Sequence, residues 1–405
     1  MVGVCCALEL QARGHAVTLI ERLRPAAETS HGNAGVVARS SLVPLNNPGL
    51  WKQLPTLLKN RSAALRYNLG FLMRHPMWGL GFLRSTRQAV FEQTVEALDS
   101  LIRLSTERHR LWTQLAGAGD LWRDNGWLYA YRETLACEQA AATRDVWSRW
   151  GVDHEVLNAD ALRQLEPGVG SAYSAAVWVK DALSVSSPQR VVQAYTDAFV
   201  RQGGRLLIDE CRSLSPSVGA GWVVRCTEAG EQTFDQVVVA LGPWSPDALA
   251  PLGLRVPMAF ERGYHMHYGW TGEAALTRPV YDTEAACVLS PMSEGVRLTT
   301  GVELTDRDAP NNLTQLSLAE NAVRAVLPLG ERLQDAPWRG SRPTLPDSRP
   351  VIGQASNHKG LWLAFGHQHI GFSTGPGTAA VLGAMVDGQA SPIDALPFSP
   401  ARLGL

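Results

Sequence analysis

The first 21 residues constrain the fold more than any other stretch of this chain. Small and apolar residues from Val2 to Arg13 have helical character, and Gly14 follows where a left-handed residue often ends a helix. The next segment, His15 to Glu21, has the continuous apolar centre that is typical of a parallel strand covered on both faces. A helix followed directly by such a strand predicts a layered α/β fold.

Gly3 and Glu21 have the spacing of two positions in the dinucleotide-binding fingerprint. The third glycine of G-x-G-x-x-G lets the helix pack on its sheet, and an acid about 20 residues later holds ribose hydroxyls. If Gly3 is that third glycine, the first strand and the two glycines that approach the phosphates are expected upstream of Met1. The alternative is an ordinary helix–strand unit with no nucleotide site.

The stretch "WLAFGHQHIGFSTGPG" (362–377) predicts a second strand, turn and helix. Its glycines stand at the start of the helix, where free N–H groups and the helix dipole favour negative charge. A flavin becomes anionic at its N1–C2=O edge on accepting a hydride, whereas a nicotinamide gains no negative charge. The stretch therefore favours a flavin over a nicotinamide.

Taken together, several sequence blocks resemble the FAD-dependent D-amino acid oxidase superfamily. They are most similar to its bacterial D-amino acid dehydrogenase branch, which includes D-hydroxyproline dehydrogenases. The blocks are "LIER" (19–22), "SHGNAG" (30–35), "VVVALGPWS" (237–245), "ERGYHMHY" (261–268), and "RPTLPDSRPVIG" (342–353) leading into "GHQHIG" (366–371). Their order and spacing span nearly the whole chain.

The resemblance implies FAD as the cofactor. Glu21 would bind the adenosine ribose, and the backbone of Asn33 and Gly35 would approach the pyrophosphate and flavin. Ala240 would lie beside the adenine. The full set of implied cofactor-binding residues is Gly3, Glu21, Arg22, Ser30, Asn33, Ala34, Gly35, Ala240, Gly242, Gly366, His367, Ile370 and Gly371.

The resemblance also implies three catalytic candidates. Arg342 would hold the substrate carboxylate, because a planar guanidinium can bind it through two hydrogen bonds. Tyr264 would be a second contact to the carboxylate or the amine. His367, the third candidate, or its neighbour His369 would shape the flavin pocket. The alternatives are a salt-bridged surface arginine at 342 and an ordinary strand tyrosine at 264.

The implied architecture consists of two interleaved domains. Residues 1–45, 185–248 and 341–405 would form an FAD-binding Rossmann-like domain of the glutathione-reductase type, missing its first strand. Residues 46–184 and 249–340 would form an α+β substrate domain, or cap, built on an antiparallel sheet.

The implied reaction is the oxidation of a D-amino acid or a D-hydroxyproline-like substrate to the imino acid and then the 2-oxo acid. Hydride would pass to flavin N5, and the electrons would leave to a respiratory acceptor such as a quinone. One alternative is an oxidase of the glycine or sarcosine type that uses O₂. Another is a truncated, non-catalytic remnant that cannot hold FAD.

Net charge, cysteine spacing and histidine pairs indicate which partners and which compartment to expect. A formal net charge of −1 gives no electrostatic reason to expect nucleic acid. The six cysteines include no C-x-x-C pair, which indicates a reducing compartment and predicts a cytoplasmic protein. The pairs His265/His267 and His367/His369 could each share a strand face, but no neighbouring Cys, Asp or Glu completes a ligand set, so no metal is expected.

The apolar segment 69–83 is the one stretch that suggests a membrane. It contains Trp78 with several Phe and Leu residues and is flanked by arginines. One interpretation is a capping helix pair whose apolar face packs on the main body. The other is a peripheral contact with the inner face of the plasma membrane, since aromatic and basic residues occur together in interfacial helices.

Overall fold

A computed structural model describes the backbone of residues 1–405 and the side chains of all residues except 53 and 56. The α-helices are α1 (Val2–Ala12), α2 (Leu50–Leu58), α3 (Leu69–Arg74), α4 (Pro76–Arg84), α5 (Gln88–Ala116), α6 (Thr134–Gln139), α7 (Ala141–Arg149), α8 (Ala159–Leu165), α9 (Pro188–Arg201), α10 (Ser245–Leu249), α11 (Thr314–Arg324) and α12 (Gly371–Val386). Among the described residues, none of these helices combines the length and the apolar character needed to cross a membrane.

The strands fall into five sheets. They are β1 (Thr18–Glu21), β2 (Val36–Val37), β3 (Leu65–Tyr67), β4 (Trp122–Arg123), β5 (Trp127–Tyr131), β6 (His154–Asn158), β7 (Ala175–Val179), β8 (Leu183–Val185), β9 (Arg205–Ile208), β10 (Cys211–Pro216), β11 (Trp222–Cys226), β12 (Glu231–Phe234), β13 (Val237–Val239), β14 (Ala259–Trp270), β15 (Val280–Asp282), β16 (Cys287–Met292), β17 (Gly295–Thr299), β18 (Val302–Leu304), β19 (Leu329–Arg332), β20 (Trp338–Thr344), β21 (Val351–Gln354) and β22 (Leu361–Phe365).

The opening helix and strand are confirmed, although the strand begins at Thr18 and not at His15. α1 ends at Ala12, Gly14 has a φ of +94°, and β1 pairs in parallel with β9. A second parallel pair, β13 and β22, belongs to a separate sheet. α1 lies across both sheets at Gly3, where a Cβ atom would be 3.5 Å from Ala240 Cβ and 3.9 Å from Leu19 Cδ1. The small residue at position 3 therefore sets how closely α1 approaches the parallel strands.

The largest sheet has the strand order β3-β18-β14-β17-β16-β15-β5-β7-β6, and β19 and β20 also pair with β14. Its strands come from 46–184 and 249–340, except that β20 continues to Thr344. The prediction of an antiparallel sheet is correct for most pairs but wrong for two, because β5 pairs with β15, and β3 with β18, in parallel. These partners are far apart in sequence, and such long connections permit parallel pairing.

The long helix α5 lies within the predicted substrate range 46–184 but packs against α12, which lies in the predicted FAD-binding range. A Cβ atom on Gly377 would be 2.8 Å from the Leu101 carbonyl oxygen and 2.8 Å from Ser105 Oγ. The Gly377 N–H donates to that same Ser105 hydroxyl at 2.6 Å. α5 therefore joins the core around α1 and α12, and the domain boundaries given above stay a prediction.

This helix contact predicts opposite effects for two glycine-to-alanine changes inside helices. Alanine normally stabilises a helix interior by about 1 kcal/mol relative to glycine. Gly79→Ala, with nothing within 4 Å of its new methyl group, should follow that rule. Gly377→Ala should instead lower the free energy of unfolding by about 1–3 kcal/mol, because its methyl group would overlap α5. Urea denaturation of both variants measures this difference, and an unchanged or higher stability of Gly377→Ala would contradict the packing.

Candidate active site

One large cavity of about 1080 Å³ connects the carboxyl end of β1 with β14, β20 and the start of α12. This volume is at the upper end of the range for cofactor and ligand sites. The predicted site residues that line it are Gly3, Glu21, Arg22, Ser30, Asn33, Ala34, Ala240, Gly242, Tyr264, Arg342, His367, Ile370 and Gly371. The structure therefore brings residues from the two ends of the chain to one place.

The N-termini of α1 and α12 both face this cavity, through Val2 and Gly371. Neither helix has a side-chain cap at its first residue or an acid in its first turn. Their first N–H groups are therefore free to bind a negatively charged group, which the helix dipoles also favour. Two such ends in one cavity fit the phosphates and the flavin edge of FAD.

Glu21 ends β1 at the cavity wall and is half-buried. Burial raises the pKa of its carboxyl, and the positive N-terminal amino group and the nearby backbone N–H groups of Leu23 and Arg22 oppose the rise. No described Lys, Arg or His side chain comes within 4 Å of it, so the carboxylate can accept hydrogen bonds from a ligand. Arg22 differs, because its guanidinium pairs with Glu28 and lies 4.0 Å from the centre of the Trp244 ring.

The loop of residues 30–35 is held from behind by Arg297, a buried residue of β17. Its guanidinium donates to the backbone carbonyls of His31 at 2.9 Å and Asn33 at 2.7 Å, and to Nε2 of His267 at 3.0 Å. Burial lowers the pKa of Arg297 to about 10. Sequence reasoning missed Arg297, since an arginine within a short alternating strand carries no signal of a contact with a loop more than 260 residues earlier.

Gly35 and Gly366, both predicted to bind the cofactor, do not line the cavity among the described residues. Each has a positive φ, +73° and +84°, which favours glycine. A Cβ atom on Gly35 would be 2.8 Å from the Val185 carbonyl oxygen, and one on Gly366 would be 2.4 Å from Leu345 Cδ1. The structure thus gives these two glycines a role in shaping the backbone beside the site.

Arg342, on β20, is a half-buried cation at the cavity wall. Its guanidinium lies over Gly263, where a Cβ atom would be 2.4 Å from Arg342 Nη2. The guanidinium donates two long hydrogen bonds, to the carbonyls of Gly301 at 3.3 Å and Thr300 at 3.4 Å. No described carboxylate lies within 4 Å of it. Burial lowers its pKa, which the nearby Glu261 carboxylate opposes. Arg342 is therefore available to bind an anion and is not the salt-bridged surface residue of the alternative.

The prediction that Tyr264 contacts the substrate does not agree with its position. Alternate residues of a strand point to opposite faces, and Arg342 lies on the face of Glu261 and Gly263. The Tyr264 hydroxyl is on the other face, where it donates to Glu303 at 3.0 Å. It also accepts hydrogen bonds from the Arg262 guanidinium at 3.0 Å and the Asn312 N–H at 2.9 Å. Tyr264 borders the cavity, but this network occupies its hydroxyl.

His367 and His369 have different surroundings. The His367 ring is buried and its Nε2 lies 2.9 Å from Thr378 Oγ1, whereas His369 is exposed on the cavity wall. Burial lowers the pKa of His367 to about 3. The His369 ring stands inside the cavity, where desolvation by the cavity walls and the Arg342 charge lower its pKa to about 4. Both rings are therefore neutral near pH 7.

The other histidine pair is buried behind the loop of residues 30–35. His265 stacks on Trp338 with ring centres 5.0 Å apart, and His267 accepts the Arg297 hydrogen bond. Trp338 in turn fixes Gly32, where a Cβ atom would be only 1.7 Å from the indole ring. No group of three His, Cys, Asp or Glu side chains suited to a metal occurs among the described residues.

Comparisons with known proteins agree with this geometry. A family model described as "DAO: FAD dependent oxidoreductase" matches residues 1–385. A D-amino-acid oxidase of Bradyrhizobium diazoefficiens is 30% identical over 99% of this chain and 96% of its own length. D-amino acid dehydrogenase 2 of Ralstonia nicotianae is 29% identical over 99% and 98%. The crystal structure of glycine oxidase from Geobacillus kaustophilus has the same fold, with a TM-score of 0.72, 20% identity, and coverage of 98% of this chain and 95% of that one.

The position of Glu21 predicts its effect on FAD binding. Ligands of parallel sheets bind at the carboxyl ends of the strands, so Glu21→Gln should weaken FAD binding about 10- to 100-fold through loss of a charged hydrogen bond. Asp235→Asn is the matched control, because Asp235 also lines the cavity but precedes β13 at the amino end of that strand. Quenching of flavin fluorescence on titration measures the FAD affinity of each variant. Equal affinities for the two variants would contradict the assignment.

Proposed function

Because the chain belongs to the FAD dependent oxidoreductase (DAO) family, as its sequence resemblance predicted, we propose that it oxidises a D-amino acid. It is an FAD-dependent amino-acid oxidoreductase with the α/β fold of that family. The substrate is a D-amino acid or a cyclic relative such as D-hydroxyproline. The product is the imino acid, which water converts to the 2-oxo acid when the nitrogen is not part of a ring.

Arg342 is the observation that carries this proposal. It is a guanidinium without a described carboxylate partner, and it stands in the same cavity as the two free helix N-termini. An amino acid brings the missing carboxylate, and two parallel hydrogen bonds from Arg342 fix its orientation. This orientation presents the substrate Cα–H toward the cofactor, so positioning supplies much of the rate. FAD, when bound, supplies the acceptor for the hydride.

The histidines near the site orient groups rather than take the proton. The His367 ring is buried against Thr378, so we assign it the role of positioning the turn that begins α12. His369 is neutral and faces the cavity beside Arg342, where a second positive charge would oppose that of the guanidinium. The substrate amine must be neutral before the Cα–H can leave as a hydride, and the amine loses its extra proton to solvent.

The choice of a D-amino acid is supported by the relatives. Proteins named D-amino-acid oxidase and D-amino acid dehydrogenase match nearly the full length of this chain. We propose that the electrons pass to a respiratory acceptor such as a quinone, with the protein in the cytoplasm and peripheral to the membrane through residues 69–83. An oxidase that uses O₂ is the second candidate, favoured by the relative named D-amino-acid oxidase.

Substrate and acceptor can be tested in one series. Under anaerobic conditions a D-amino acid should bleach the flavin absorbance of the purified protein, and its L-enantiomer should not. With air, turnover should be fast with a quinone or an artificial dye and should release little hydrogen peroxide. Peroxide formed in proportion to substrate would favour the oxidase. A protein that takes up no FAD and stays colourless would support the non-catalytic remnant.

The role of Arg342 predicts the effect of Arg342→Met on the same assay. Loss of the charged hydrogen bonds to the carboxylate should lower kcat/KM about 100-fold, equivalent to about 2.7 kcal/mol. Arg342→Lys should restore only part of this loss, since an ammonium lacks the two-pronged geometry. Arg339→Met is the matched control, because Arg339 lies on the same strand with its side chain on the other face. Similar kcat/KM values for the variants at 342 and 339 would refute the assignment.

A further inference from the structure

Helices α3 and α4, which follow one another in the chain, together expose a row of four large apolar side chains. Leu69, Met73, Met77 and Leu80 are 64%, 68%, 76% and 64% exposed. Leu69 and Met73 are four residues apart in α3, and Met77 and Leu80 are three apart in α4, so each pair lies on one face of its own helix. Single exposed apolar residues need no explanation, but a continuous row is typical of an interaction site.

The opposite face of the same helix pair is anchored on the body of the protein. Phe71 and Trp78 are buried, and the Trp78 indole donates to the Thr344 carbonyl at 3.0 Å. The interpretation of a capping helix pair is therefore correct for this face. It does not account for the exposed row, and Trp78 is not one of the exposed residues.

A notch of about 670 Å³ between α2 and α4 extends the exposed row. Its apolar walls are Trp51, Leu80 and Leu83, and Arg84 and Arg87 stand beside them. The Trp51 indole is 53% exposed and is fixed by a 2.8 Å hydrogen bond to Thr86 Oγ1. An aromatic ring held at the edge of an apolar surface, next to arginines, suits the boundary between lipid headgroups and acyl chains.

The charge of this region is strongly one-sided. Residues 50–87 contain seven Lys and Arg and no Asp or Glu, in a chain whose net charge is only −1. Arg74 is paired with Asp306. No other basic side chain of the segment forms an ion pair within 4 Å with a described residue. Basic groups around an apolar surface are attracted to anionic lipid headgroups.

We propose that this docking surface, formed by α2, α3 and α4 (residues 50–87), binds a bilayer that contains anionic phospholipid. The exposed row and the notch enter the headgroup region, and the arginines and lysines contact the phosphates. The Trp51 ring at the edge of the apolar surface, next to arginines, favours lipid over a protein partner with an acidic face. If the occupant were such a protein, this chain would not bind vesicles.

The docking surface adjoins the candidate active site. A Cβ atom on Gly81 of α4 would be 2.8 Å from Pro346, four residues after Arg342. On the same side, Ala64 lines the main cavity, and its carbonyl accepts the Val302 N–H at 2.8 Å. Docking therefore brings the cavity close to the membrane, where lipid-soluble acceptors are found. This use of the docking rests on the proposed function, whereas the binding to lipid does not.

Flotation of the full-length protein with lipid vesicles tests the proposal. At low salt the protein should float with vesicles of phosphatidylcholine and phosphatidylglycerol, bind much less to phosphatidylcholine alone, and be released by high salt. The double variants Met77→Glu/Leu80→Glu and Arg84→Gln/Arg87→Gln should each lower binding about tenfold or more. The controls Leu135→Glu and Arg201→Gln, at exposed positions on other helices, should bind like the parent.

Two results would overturn the proposal. One is a parent protein that stays unbound at low salt, and the other is equal binding by the parent and both double variants. Light scattering without vesicles shows whether the exposed row instead joins two copies, in which case the Met77→Glu/Leu80→Glu variant alone would become monomeric. Turnover of a D-amino acid with a soluble dye is measured separately and should be unchanged in all variants. Loss of dye turnover with normal flotation would refute the proposed function but not the docking.

Discussion

The site depends first on the close packing of α1 against α12. A Cβ atom on Gly375 would be 3.0 Å from Met1 Cγ and 3.2 Å from Cys5 Sγ, and one on Gly383 would be 2.6 Å from Arg13 Nε. Side chains at these positions would hold the helices apart. Because glycine allows the approach, two helices from opposite ends of the chain present their N-termini to the same cavity. Their dipoles then act on one ligand rather than on two separate surfaces.

Two arginines define the other walls, and they differ in what satisfies them. Arg297 is buried but has carbonyl and imidazole acceptors for its hydrogen bonds, so its charge serves to fix the loop of residues 30–35. Arg342 has only two long contacts to carbonyls. A cation left so incompletely paired beside a cavity gains most from a ligand that brings its own carboxylate. Arg297 therefore has a structural role, whereas Arg342 is the arginine that can bind a ligand.

The sequence predicts those parts of the site that depend on residues close together in the chain. The apolar strand after Gly14 and the glycine-rich turn before α12 are local patterns, and both elements form where they were predicted. Tyr264 shows what such patterns omit, because its role depends on which face of β14 it occupies. The register of β14 with β20 decides that face, and the two strands are about 70 residues apart. Arg297 and Trp338 likewise contact a loop 266 and 306 residues earlier in the chain, and no pattern in the sequence around them indicates these contacts.

Segment 69–83 shows how composition can support two interpretations at once. A helix that is apolar on all sides is normally buried or in contact with lipid. Here Phe71 and Trp78 are buried, whereas Met73 and Met77 remain on the outside, 68% and 76% exposed. Burial of the first set fixes the helices on the segment that follows Arg342, so it also fixes the position of the second set relative to the cavity. The surface that faces outward therefore has a defined position relative to the site.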